Sequence, residues 1–211
     1  MDLDFPLECF DTDLSTEALS RFLKATQVGV DTETMGLNIP RDRLCLVQLC
    51  DPAGQVAVIK IHRGQREAPH LKQLLEHPRM TKIFHYARFD LATLRYHLGI
   101  RVQPVFCTKI ASKIARTYSP RHGLKDLALD LLGVELDKSA QSSDWGNAAD
   151  LRDDQLRYAA NDVRYLIPLK EQLVRILERE ERLPLVQAAL NCLPAIVELD
   201  LGGYDRVFEH G

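Results

Sequence analysis

Long apolar runs are missing from this 211-residue chain. No uninterrupted stretch approaches the ~20 residues that a membrane-spanning helix requires. The first ten residues, MDLDFPLECF, are acidic and lack the basic-then-apolar order of a signal peptide. A soluble, cytoplasmic protein is expected. Cysteine is sparse: Cys9, Cys45, Cys50, Cys107 and Cys192 are an odd number, scattered, with no C-x-x-C pair. This argues against a disulfide framework or a thiolate zinc site and fits reduced thiols. A basic excess is missing too, since 27 Lys and Arg face 30 Asp and Glu, a net charge of −3. Proteins that hold long nucleic acids usually carry a basic face. The balance therefore speaks against a long tract gripped by many phosphates and leaves a short anionic substrate at a metal site compatible. Repeats, low-complexity tracts and linkers are also absent. What remains, 45% hydrophobic and 27% charged residues, is a globular composition long enough to bury a core.

Three apolar runs stand close together early in the chain: Val28–Val30, Leu44–Cys50 and Val56–Ile61, with Asp51-Pro-Ala-Gly54 as a turn. Their short connections predict an antiparallel meander, because a parallel crossover needs a dozen or more residues. Helices are expected over Pro69–His77, Phe89–Leu98, Thr108–Thr117 and Gly123–Leu132, with short strands at Lys82–His85 and Pro104–Phe106. A long helical segment from about Asp153 to Arg182 contains Pro168 as a kink, and Pro194 should disturb a last helix over Leu185–Leu199. Strands first, then alternation, then helices predicts an α/β fold whose mixed sheet is covered by helices.

Several acids are out of place in such a pattern. Asp31 and Glu33 follow directly on the apolar V-G-V, although both types are depleted in strands. At spacing i, i+2 on a strand their side chains share one face. Two half-buried carboxylates so close repel each other, and a hard divalent cation with oxygen ligands removes the conflict. Asp90, in FHYARFDLATL, sits where a strand gives way to a helix; alone it reads as an acid complementing the helix dipole. Tyr158 and Asp162, in LRYAANDVRYL, are four apart on one helical face. Four carboxylates from three elements can converge on two metal ions about 4 Å apart, an arrangement that activates water and stabilises the leaving oxygen of a phosphoryl displacement.

DTET, FHYARFD and YAANDVRYL, in that order, resemble the motifs of the DEDD exonuclease superfamily, in the branch with tyrosine in its third motif. The likeness is to the RNase D family and extends through His122–Trp145 (HGLKDLALDLLGVELDKSAQSSDW). It differs at Cys107, where the broader family usually has Asp. RNase D also carries helical nucleic-acid-binding domains after its nuclease, whereas this chain ends at Gly211. The compact length with FCTKIASK, RHGLK and QSSDW is similar to the small bacterial members that degrade very short RNA.

The resemblance implies a ribonuclease H-like fold with a five-stranded mixed sheet. It also implies a single 3′-5′ exonuclease domain over 1–211, with the motifs in about 28–182 and a helical extension over 183–211. It further implies hydrolysis of short RNA, dinucleotides foremost, to 5′-mononucleotides, with two divalent ions, Mg²⁺ or Mn²⁺. A homo-oligomer goes with it, an octameric ring being the form suggested; DNA stays open as a substrate. Asp31, Glu33, Asp90 and Asp162 would be metal ligands, and Tyr158 would orient the attacking water or help deprotonate it. Thr34, Met35, Leu37 and His85 would touch substrate, Leu37 as a wedge against the terminal base. Arg88, Arg121 and His122 are candidates for a 5′ phosphate, though each also reads as a surface residue, and Trp145 reads as core. Three other readings stay in view: an RNase D-like trimming enzyme for longer RNA or DNA, a non-catalytic nucleic-acid scaffold, and a haloacid-dehalogenase-type phosphatase. The last needs a second Asp where Glu33 stands.

Overall fold

The computed structural model describes residues 5–136, 145–147, 151–204 and 207–210. Most of KSAQSSDW, in the stretch similar to the family, lies outside them. The described residues form one six-stranded mixed sheet, not five-stranded, in the order β1-β4-β3-β2-β5-β6. The strands are β1 (Leu7–Asp11), β2 (Gln27–Thr34), β3 (Leu44–Cys50), β4 (Val56–Lys60), β5 (Thr81–Phe84) and β6 (Val105–Cys107). The expected meander is β2-β3-β4, antiparallel throughout. β5 and β6 extend it in parallel beyond β2.

The extra strand is β1, parallel to β4 at the edge. Its sequence, LECFD, is only half-buried and mixes acids with apolar residues. Such an edge strand is made by its pairing partner more than by its own pattern. It is followed by α1 (Thr16–Phe22), capped by Ser15, whose hydroxyl accepts from the Ala18 amide at 3.1 Å.

The helices that follow are α2 (Pro69–Leu75), α3 (Ala87–Leu98), α4 (Thr108–Ala115), α5 (Leu124–Leu132), α6 (Asp153–Arg164), α7 (Leu166–Arg179), α8 (Leu183–Asn191) and α9 (Leu193–Leu201). The long segment breaks at Tyr165 and not at Pro168, which falls in the first turn of α7, where a missing N–H costs nothing. Pro194 likewise stands in the first turn of α9. By length and composition alone, Leu183–Leu201 is the one helical run among the described residues apolar enough to cross a membrane. It breaks at Cys192, however, and its Glu198 and Asp200 are ion-paired to Arg95 and Arg88 of α3 at 2.9 and 2.5 Å.

β5 carries a wholly buried amine. Lys82 is 0% exposed, and its Nζ donates to the carbonyls of His77 (2.9 Å), Met80 (2.8 Å) and Gln103. The side chain thus ties the turn before β5 to the segment before β6. Lys82→Met would keep the apolar stem and leave three inward carbonyls without this donor. We expect it to lower stability by about 2–4 kcal/mol, read as a shifted midpoint in urea unfolding; an unchanged midpoint would refute the account.

Candidate active site

The site is made where β2 meets α6. Val28 and Val30 are fully buried and anchor β2 in the middle of the sheet. Between them Gly29 allows an unusually close crossing: a Cβ there would lie 2.7 Å from the Val163 carbonyl of α6. Gly29, Asp31 and Glu33 share one face of β2, so this crossing lays Asp162 of α6 against the two strand acids. One carboxylate oxygen from each of Asp31, Glu33 and Asp162 lies within 4.8 Å of the others.

Asp90 arrives from elsewhere. It is buried in the first turn of α3 and accepts 2.7 Å from the hydroxyl of Thr32, which alternation points to the opposite face of β2. β5 pairs with β2 only as far as Gly29, so the acidic end of β2 outruns its neighbour. Asp90 is therefore not in the close trio, but its charge still acts on Asp31. The first turn of α3 has no side-chain cap, and the Ala87 amide donates instead to the Cys107 sulfur at 3.4 Å. Cys107, the departure from the family pattern, thus steadies the start of the Asp90 helix.

The acids destabilise one another's charged forms. Burial first, then Asp90, Asp162 and Glu33, hold the Asp31 carboxyl well above the usual carboxylate range. Burial, then Asp162 and Asp90, push Glu33 up to about 9. Burial raises Asp90 to about 7 against the hydrogen bond from Thr32, which favours the anion. The Tyr158 phenol is raised by burial and by Asp162, to which it is also hydrogen-bonded. An all-oxygen set with this much unbalanced negative charge fits a hard divalent cation.

A cleft of about 560 Å³ opens over the trio. Tyr158, Thr34, Met35, Leu37 and His85 line it together with Asp31, Glu33 and Asp162; buried Asp90 does not. Leu37 is 84% exposed at the tip of a braced loop. Asp42 accepts from the Asn38 amide at 2.9 Å and pairs with Arg41, and a Cβ on Gly36 would collide with its carboxylate. Met35 donates its N–H to Arg43 O at 3.1 Å, so its amide is already engaged, and its half-exposed side chain faces outward. The hydroxyl of Thr108 donates to Phe84 O at 3.1 Å, so the His85 Nδ1 contact of 2.9 Å has the imidazole as donor.

The basic candidates have protein partners. Arg88 pairs with Asp200, Arg121 pairs with Asp130, and His122 Nδ1 lies 2.8 Å from Ser112 Oγ. Trp145 is buried as expected yet also walls the cleft, its ring 6.0 Å from that of Tyr158. Phe89 and Lys109 line the cleft without having been anticipated. Lys109 stands one residue after Thr108 in FCTKIASK, a stretch whose helical pattern marks only its apolar face.

This arrangement matches a known class. A 3′-5′ exonuclease family model covers residues 8–178, and the chain belongs to that family. It is 34% identical over 188 residues to Ribonuclease D of Gluconacetobacter diazotrophicus, covering 89% of this chain and 47% of the relative. The chain thus matches about half the length of such curated relatives. Among solved structures it is similar over nearly its whole length to Brucella melitensis NrnC. The form bound to pGG is 46% identical with a TM-score of 0.93, covering 99% of this chain and 100% of that one. The form with bound Mg²⁺ is 45% identical with a TM-score of 0.92, covering 98% and 100%. The fold is accordingly the ribonuclease H-like α/β fold of these exonucleases.

Two outcomes follow from the geometry. A carboxyl raised by folding holds its proton better in the folded than in the unfolded chain. Between the unfolded value of ~4.3 and about 9 for Glu33, stability therefore falls as pH rises. Without divalent ions the melting temperature should drop across this window, and Mg²⁺ should restore more of it near the top than near the bottom. Scanning fluorimetry in EDTA and in Mg²⁺ checks this; an Mg²⁺ shift independent of pH would contradict it. Gly29→Ala should push α6 from β2 and cost about 1–3 kcal/mol, with a weaker Mg²⁺ shift than the parent; an unaltered shift would count against the crossing's role.

Proposed function

We propose that this chain is a divalent-metal-dependent 3′-5′ exoribonuclease that hydrolyses short RNA, dinucleotides foremost, to 5′-mononucleotides. The observation that carries the reading is the carboxylate trio with Tyr158 beside it, at the floor of a cleft bounded by the Leu37 loop. The similar NrnC structures with pGG and with Mg²⁺ support it. Residues 1–211 then act as one exonuclease domain in the cytoplasm, with 183–211 as a helical extension. Exposed Tyr204, Val207 and Phe208 offer apolar surface for a homo-oligomer.

Asp31, Glu33, Asp90 and Asp162 would hold two divalent ions, Mg²⁺ or Mn²⁺. Such ions supply positive charge at the scissile phosphate and acidify water when bound. The reaction adds water across the last phosphodiester: oxygen attacks phosphorus, and the 3′ oxygen of the preceding nucleotide leaves. Tyr158 is hydrogen-bonded to Asp162, and burial and that acid raise its phenol. It would orient the attacking water or help deprotonate it. Leu37 packs against the terminal base, while Thr34, Met35 and His85 flank the 3′ nucleotide.

Turnover of 5′-labelled RNAs two to ten nucleotides long, with Mg²⁺ or Mn²⁺, tests this. A steep preference for the dinucleotide is expected. Asp31→Ala and Asp162→Ala should abolish turnover, and Tyr158→Phe should lower kcat by about 100-fold or more while keeping the Mg²⁺-induced thermal shift. Tyr118→Phe, at an exposed position, should change nothing. Even degradation at all lengths would favour the RNase D-like trimming reading, and no metal-dependent cleavage would favour a scaffold.

A further inference from the structure

One buried polar side chain lies next to the carboxylates and has no role in the site described so far. Gln48 stands within β3 and is 0% exposed. Neither its amide nitrogen nor its amide oxygen has a hydrogen-bond partner. Among the described residues it is the one side chain with two such orphaned atoms. Buried amides are almost always paired, because a donor or acceptor left alone keeps its full desolvation penalty. The rest of β3 is Leu, Cys and Val, so an apolar residue here would suit the strand better.

Register puts this amide beside the site. Gln48 is the direct cross-strand partner of Asp31 in the antiparallel β2-β3 ladder. Opposed residues of such a ladder project to the same face, with Cβ atoms about 4.5–5.5 Å apart. That face is the one α6 crosses at Gly29. On its other flank Gln48 is opposed by Val58 of β4, and its same-face neighbours along β3 are Leu46 and Cys50. The most deeply buried residues of α6, Ala159, Ala160 and Val163, are apolar too. Asp31 is thus the nearest polar side chain that the ladder offers, and a glutamine spans such a gap by rotation about its own bonds. Asp31 accepts from the Thr32 amide, whereas Glu33 and Asp162 beside it are acids like itself.

We infer that Gln48 is a positioning residue of the metal site: its amide N–H donates to the Asp31 carboxylate and fixes the orientation in which that carboxylate receives a divalent ion. Carboxylates that hold metals are themselves held by outer hydrogen bonds, and loss of such a partner typically lowers metal affinity about 10–100-fold. The orphaned amide then belongs to the metal-free protein, where its desolvation is uncompensated. A buried water could satisfy the amide as well, but metal binding would then be indifferent to its removal.

The inference rests on the reading of the trio as a metal site, and its test separates stability from metal binding. Gln48→Met keeps the length of the side chain and removes the amide; Gln48→Leu is the second variant. In EDTA the melting temperature should rise by about 2–4 °C, because an unpaired buried amide has gone. Titration with Mn²⁺ alone, followed by the EPR signal of the free ion, should give a Kd weakened about 10–100-fold. Turnover of a dinucleotide should fall at limiting Mn²⁺ and return at saturating Mn²⁺. A Kd equal to the parent's, or a lower melting temperature in EDTA for both variants, would overturn the inference and leave the metal site standing. A parent that binds no Mn²⁺ would overturn the metal-site reading, and the role of Gln48 with it.

Discussion

Mutual repulsion among half-buried carboxylates is the constraint around which this molecule is built. Isolated, Asp31, Glu33 and Asp162 would move apart or go into solvent; here two are fixed to a central strand and one to a helix that crosses it at contact distance. The crossing is possible because position 29 has no side chain; buried Val28 and Val30 anchor the strand through its opposite face, and buried Ala159, Val163 and Leu166 anchor the helical layer. Burial of such side chains stabilises by roughly 1.5–3 kcal/mol each. That is the scale needed to hold acids whose charged forms are disfavoured by both desolvation and one another. The same tension makes the site receptive to a hard cation, so what weakens the fold is also what prepares it for chemistry.

Much of this was legible in the residues. Acids in an apolar strand contradict strand propensity, and DTET is conspicuous for that reason; Tyr158 and Asp162 are equally visible through their four-residue spacing. Other parts were hidden because their meaning depends on partners distant in sequence. Thr32 looks like the bystander of the motif, since alternation turns it away from Asp31 and Glu33, yet that turn is what brings its hydroxyl to Asp90. Lys82 enters the sequence pattern only as the first residue of a short strand, and it is a buried tie between three carbonyls. β1 escapes a pattern search because its ladder is supplied by β4, about fifty residues later. Helix breaks were misplaced for a related reason: proline marks where a helix can start as readily as where one bends, and only the neighbouring packing decides.

Net charge was the least informative number. A total of −3 averages over the negative cleft and, across the Leu37 loop, a second one lined by Arg41, Arg43, Arg63 and Arg66. Screening strengthens the separation: at physiological salt the Debye length is about 8 Å, so exposed charges on remote helices count for little at either cleft.

The loop between the clefts is therefore more than a place to mount Leu37. Asp42 is its internal strut, accepting from Asn38 and Arg41 and filling the space that a side chain at Gly36 would need. The bracing fixes the loop, so little conformational entropy remains to be lost at Leu37. It also keeps Met35 at the boundary, touching both cavities. The loop thus stands as a fixed wall, with the carboxylates of β2 and α6 in the cleft on one side and the arginines in the cleft on the other.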